Sequence, residues 1–267
     1  MFKLVSESLL KKLFIEIFNI LKRTEKAATE IWCEASEIDF FKKFNDYELR
    51  DFLNLFEFLS IQKGNYIDYI VINKIVFIME SVRILQFEIK DVSILLDYQG
   101  FEKLVQEILL KNNYKTTTNF RFSDKSNFKS KTLQKRYEID VIGIYLNYVL
   151  IIDAKQWRHK DSYSSLNKAA NLQYQRVLAL KKNQDVFSRL IQELMGTNLS
   201  LKRNLPLILI PIMVTFEDNF IKISDNQIPL VSIYEFNSFL QEIPNNMEYF
   251  KKVMVYKVSI QKQLLKL

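Results

Sequence analysis

The sequence predicts an α/β fold: a mixed sheet flanked by helices over residues 91–267, preceded by a mainly helical domain over residues 1–90. Three patterns point to it. Apolar residues in the first 90 positions recur mostly at helical spacing. Beyond Asp91, helix-length and strand-length patterns alternate. Residues 207–214 form an unbroken apolar run, as expected of a central strand buried on both faces.

In chain order, residues 6–21 read as an amphipathic helix with Leu9, Leu10, Leu13, Phe14, Ile17, Phe18, Ile20 and Leu21 on one broad stripe. Asp46 reads as the cap of a second helix through Leu59. Residues 60–72 look like a hairpin turning at Lys63-Gly64-Asn65. Helices followed by a short hairpin make a winged-helix-like module, which often docks DNA. The near-zero charge of this segment favours a helical packing or dimerisation domain instead. No Pro/Gly-rich linker follows, so the boundary near Lys90 is soft. Asp97 opens a helix through Asn112 whose inward face carries Phe101, Leu104, Val105, Ile108 and Leu109. Residues 115–122 read as a strand, 137–155 as a hairpin, and 165–182 and 187–195 as helices. Residues 228–233 form a short strand leading into a helix over 234–242.

The 137–155 hairpin bears the chemistry. β-branched and aromatic runs flank Leu146-Asn147, so Tyr145 pairs with Tyr148, Asp140 falls opposite Asp153, and Glu138 opposite Lys155. Opposed Cβ atoms lie roughly 4.5–5.5 Å apart. Alternation puts Glu138, Asp140, Asp153 and Lys155 on one face. Two carboxylates so close repel unless neutralised, and a divalent cation is the usual answer. The bland alternative is charge on an exposed sheet edge. Against it, Ile139, Val141, Ile151 and Ile152 mark central strands, where isolated carboxylates are costly to ionise.

Lys155 reads both as an amine serving chemistry and as the ion-pair partner of Glu138. Glu102 shares a helix face with Val105 and Leu109 and points inward, as a third carboxylate or as a complement to the helix dipole. Gln173 interrupts the inward stripe of Leu166, Ala170, Val177 and Leu180, and must find partners or cost about 1–3 kcal/mol. It either faces the site, holding water, Lys155 or a phosphate, or bonds a loop carbonyl.

Composition narrows the classes. The single Cys33 cannot form an internal bridge, which suits a reducing, cytoplasmic setting. The first ten residues lack a signal pattern, and the longest apolar run, 205–216, is too short for a bilayer, so no membrane partner is expected. The one histidine, His159, reads as an ordinary surface residue. Its solitude argues against Ser-His-Asp triads and His-rich metal centres. Catalysis must run on carboxylates, lysine and water.

The net charge of +7 is uneven, −1 over residues 1–90 and +8 over 91–267. It peaks where Lys111, Lys115, Arg121, Lys125, Lys129, Lys131, Lys135 and Arg136 face one acid, Asp124. A basic stretch before a carboxylate cluster suits a polyanion, and reads equally as a solvated loop. Past the hairpin, Trp157 is expected to cover the strand end and Arg158 to reach phosphate.

The ordered set of Glu102 on a helix, Asp140, Asp153-Ala154-Lys155, and Gln173 on the next helix resembles the PD-(D/E)xK nuclease superfamily. Its members share the restriction-endonuclease-like fold and include restriction enzymes, archaeal junction resolvases, and RecB- and Mrr-type nucleases. The resemblance covers about residues 91–240. Ile139 stands where many members have proline, and Asp153 where glutamate is commoner. The first 90 residues have no identified counterpart.

The resemblance implies a DNA endonuclease using Mg²⁺, with Mn²⁺ able to substitute. Asp140, Asp153, the Ala154 carbonyl and Glu102 would hold the metal. Lys155 would orient or activate the attacking water, with Gln173 beside it. Arg121, Lys125, Lys129, Lys131, Lys135, Arg136 and Arg158 would track the backbone of double-stranded or branched DNA, favoured over RNA. One site per chain suits a homodimer on duplex DNA. The alternative is a non-catalytic DNA-binding or regulatory protein that retains the fold.

Overall fold

The structure is a computed structural model that describes residues 6–65, 67–123, 136–156, 163–196, 204–216 and 222–259. It divides into two compact units, Met1–Phe101 and Glu102–Leu267. The division falls inside a helix, some way beyond the soft boundary expected near Lys90.

The first unit contains helices α1 (Glu7–Lys22), α2 (Asp46–Leu53), α3 (Lys74–Leu85) and α4 (Ile89–Ser93). Its strands β1 (Glu30–Glu34), β2 (Leu59–Gln62) and β3 (Tyr69–Asn73) form an antiparallel sheet in the order β1-β3-β2. The expected hairpin is therefore present, and β1 adds a third strand that the helical reading missed. The cap of α2 is Asn45 rather than Asp46. Its side chain accepts the Tyr47 and Glu48 N–H groups while Glu48 answers the Asn45 N–H. Phenylalanines from distant positions make the core: Phe14 stacks on Phe77 and meets Phe58 edge-on at 5.2 Å.

Helix α5 (Tyr98–Lys111) leads into the second unit, whose sheet has six strands among the described residues. The order is β4 (Lys115–Ser123), β5 (Arg136–Tyr145), β6 (Tyr148–Lys155), β7 (Leu207–Thr215), β8 (Leu230–Ser232), with β9 (Val253–Val255) also on β7. Strands β4, β5 and β6 run antiparallel to their neighbours, β6, β7 and β8 run parallel, and β9 returns antiparallel. This is the expected mixed sheet. Helices α6 (Tyr163–Lys182), α7 (Gln184–Met195) and α8 (Phe236–Asn246) complete the unit.

Two packing details position the functional region. Strand β7 is central although it contains Pro211, which has no N–H to give a ladder. Pro211 sits between the β9 pairing at Leu207–Leu209 and the β8 pairing at Met213–Thr215, so its missing donor faces neither. Helix α5 lies so close to β5 that a Cβ on Gly143 would stand 3.1 Å from a Leu109 methyl. Elsewhere, Val177 and Leu180 of α6 and Phe187, Leu190 and Ile191 of α7 join Ile142, Ile144, Val149 and Ile151 in one core. Among the described residues, no helix is long and apolar enough to cross a membrane.

Candidate active site

The hairpin forms in the expected register. Tyr145 pairs with Tyr148, and the ladder continues to Val141 and Ile152, where it stops. The next bonded pair in that register would place the Ala154 N–H on the Ile139 carbonyl. Instead Asp140 Oδ2 accepts that N–H at 2.9 Å. On its other side, β5 pairs with β4 at Thr118–Val141 and Phe120–Ile139, passing over Asn119, whose φ is 53°. Ile139 and Ile142, three residues apart, both enter the same core cluster. Strict alternation would separate them, so the pleat slips by one across Asp140–Val141.

That slip corrects one expectation. Glu138 does not come opposite Lys155 in the ladder; it lies across from Arg121 on β4, and Arg121 donates to its carboxylate at 2.8 Å.

Asp140 and Asp153 do come together, 6% and 1% exposed. Lys155 Nζ reaches both, at 3.2 Å from Asp153 Oδ1 and 3.9 Å from Asp140 Oδ2. Gln173 is fully buried on α6, as the broken stripe required. Its amide donates to the Ile151 carbonyl at 2.7 Å, a strand carbonyl next to the site rather than a loop carbonyl. Its oxygen accepts from Arg176 at 2.9 Å, and the same Arg176 nitrogen donates to Asp153 Oδ1.

Arg176 escaped the sequence reading. The available signal was its position three residues after Gln173, which places it one turn along the same helix face.

Burial pushes the Asp140 carboxyl above the ordinary carboxylate range, and the Asp153 charge pushes it the same way. Lys155, the Ala154 N–H and Arg176 pull it back without cancelling the shift. The Lys155 carbonyl accepts from Phe216 on the β7 side. Successive strand carbonyls alternate in direction, so the Ala154 carbonyl projects to the Asp140 side.

Glu102 is buried, as expected of its helix face. Among the described residues, however, no group of three or more His, Cys, Asp or Glu side chains could hold a metal ion. Glu102, Asp140 and Asp153 therefore do not make up such a group of three. Of the basic residues expected on a polyanion, Arg121 and Arg136 are exposed near the ends of β4 and β5. Lys125, Lys129, Lys131, Lys135 and Arg158 lie outside the described residues, as do Trp157 and His159.

No known protein family matches the chain, and no curated protein does. Among solved structures, the crystal structure of protein VC1899 from Vibrio cholerae aligns at 14% identity with a TM-score of 0.32. The alignment covers 91% of this chain and 53% of that one, so the chain spans about half the length of that protein.

Proposed function

We propose that residues 102–267 are a divalent-metal-dependent deoxyribonuclease, an endonuclease of restriction-endonuclease-like architecture acting on DNA in the cytoplasm. The observation that carries this reading is the Lys155 amine set against two buried carboxylates from adjacent strands. Asp140, Asp153 and the Ala154 carbonyl offer hard oxygen donors on one side of β6. That donor set suits Mg²⁺, or Mn²⁺ in its place, because magnesium keeps several waters and needs few protein ligands. The raised proton affinity of Asp140 fits too, since a further cation beside it would offset its burial and the Asp153 charge. Bound there, the metal would acidify a coordinated water and offset charge developing on phosphorus.

The chain's own groups do the rest. Asp140 is fixed by the Ala154 N–H, and Asp153 is held by Arg176, itself oriented by Gln173. Lys155 has donors to orient the attacking water or to meet the developing oxyanion. Arg121 and Arg136, with the basic segment between them, supply the attraction for a phosphate backbone. Duplex cleavage by one site per chain would call for a homodimer.

A second reading has its own support. Lys155 and Arg176 already balance the charges of Asp140 and Asp153, as in a buried ion network that only stabilises a DNA-binding or regulatory protein. Cleavage assays on supercoiled, linear, branched and single-stranded DNA and on RNA separate the two, run with Mg²⁺, Mn²⁺ and EDTA. The nuclease reading expects metal-dependent cutting that Asp153→Ala abolishes. Cutting that persists in EDTA or in that variant sinks it. Tight DNA binding indifferent to Asp140→Ala, with no cutting under any metal, selects the second.

A further inference from the structure

We infer that Arg176 is an exchangeable occupant of the metal site: it holds Asp153 until a divalent cation binds, then turns its guanidinium to a substrate phosphate. The inference rests on the metal-dependent reading above and adds a substrate-contacting role that the sequence did not disclose.

Both cations converge on one atom. Arg176 Nη1 and Lys155 Nζ each contact Asp153 Oδ1, Lys155 at 3.2 Å. A divalent ion approaching that oxygen meets two positive groups, and one must withdraw. Lys155 already has a second carboxylate, Asp140, at 3.9 Å. Arg176 cannot withdraw by losing its proton, because a guanidinium stays charged at any working pH. It must move.

It would not move far. Gln173 Oε1 accepts from the same guanidinium at 2.9 Å, and Gln173 is anchored by its own amide on the Ile151 carbonyl. Releasing Asp153 therefore leaves Arg176 tethered at the rim of the site, where it is 24% exposed. A guanidinium presents several donors in a planar fork that matches two oxygens of a phosphate, which a lysine amine does not. Gln173 thus serves as a positioning residue that sets the radius of the swing.

The exchange predicts opposite effects on two ligands in one variant. Mn²⁺ binding by calorimetry and binding of duplex DNA in Ca²⁺ by fluorescence anisotropy should be compared for the full-length wild type, Arg176→Gln and Arg176→Lys. Arg176→Gln should bind Mn²⁺ at least about fivefold tighter and DNA at least about fivefold weaker than wild type, the lower end of ordinary coupling between sites. Arg176→Lys should retain weak DNA binding, since one ammonium cannot replace the fork. An Arg176→Gln protein that binds Mn²⁺ no tighter than wild type overturns the exchange.

Should Arg176→Gln not fold, ¹⁵N-arginine spectra of the wild-type protein decide. The Arg176 side-chain signal should shift on saturation with Mg²⁺, and a signal that stays put overturns the proposal. Wild-type protein that binds no Mn²⁺ removes the metal site itself. Mn²⁺ binding that Arg176→Gln fails to strengthen removes only the exchange.

Discussion

The Asp140 carboxylate accepts the Ala154 backbone N–H at 2.9 Å, occupying the place that the Ile139 carbonyl would take in an uninterrupted hairpin. A side chain thereby ends the β5–β6 ladder at the point where the two acids meet. Pairing continues on the far side of β6, through Ala154–Val214 and Lys155–Thr215 on β7, so the opening is confined to one flank.

Asp140→Asn keeps an oxygen for the Ala154 N–H and removes the buried charge. Burial and the Asp153 charge hold the Asp140 carboxyl above its ordinary range, so the folded protein binds this proton more tightly than the unfolded chain does. The stabilisation is fully present below the unfolded carboxylate pKa and is lost as pH rises through the raised folded value. Urea midpoints should therefore show Asp140→Asn gaining on wild type between pH 4 and pH 7. Asp140→Ala strands the Ala154 N–H and should be less stable than the Asn variant by about 1–3 kcal/mol. An Asn variant that loses ground to wild type toward neutral pH contradicts this account.

Lys155→Met keeps the apolar stem and deletes the donor facing Asp140 and Asp153. On the proposed mechanism, single-turnover cleavage should fall ~10²–10³-fold, the range for losing a donor aimed at developing charge. DNA affinity by anisotropy should change far less. Lys155→Arg should not restore the rate, because a planar fork cannot occupy the position of a compact ammonium. Equal losses in rate and affinity would assign Lys155 to substrate binding instead.

Much of this site was legible because it obeys simple periods. Residues Tyr145 to Tyr148 fix the hairpin register, and the helical period exposes Gln173 as a polar intruder in a buried stripe. The failures have physical causes. The register was carried from Tyr145 down to Glu138 across the slip at Asp140–Val141, and no period encodes the slip. Arg176 sits where a sequence reading places a solvated cation, and only the tertiary approach of α6 to β6 brings it to Asp153. Strands β1 and β9 are five and three residues long and pair with β3 and β7, far along the chain, so no local signal marked them. In the Phe-rich first unit the β2–β3 hairpin was legible, and only β1 was hidden behind the helical count.

Arg121 tests the nucleic-acid expectation apart from the chemistry. Its pair with Glu138 is solvent-exposed, 73% and 46% on the two sides, and such pairs add little to stability. Arg121→Ala should leave the melting temperature unchanged. If Arg121 meets a phosphate, the same variant weakens DNA binding on every sequence and lowers the salt-dependence slope by about 1. Titrations from 50 to 200 mM salt read that slope, and an unaltered slope removes Arg121 from the interface.

Gly143 sets how closely α5 approaches the sheet. A Cβ there would stand 3.1 and 3.3 Å from the two Leu109 methyls and 3.3 Å from the Tyr114 ring. Leu109 is fully buried and Tyr114 nearly so, so neither can retreat into solvent. Gly143→Ala should destabilise the second unit by about 1–3 kcal/mol, as overpacking of a tight core does. A domain of this size would then melt roughly 2–4 °C lower for each kcal/mol. Leu109→Ala alone should cost about 2–5 kcal/mol through the cavity it opens. The double variant, whose new methyl enters that cavity, should be less destabilised than the two single effects added together, with a coupling of about 0.5–3 kcal/mol. Strict additivity in denaturant unfolding would mean that α5 does not rest on Gly143 as the geometry states.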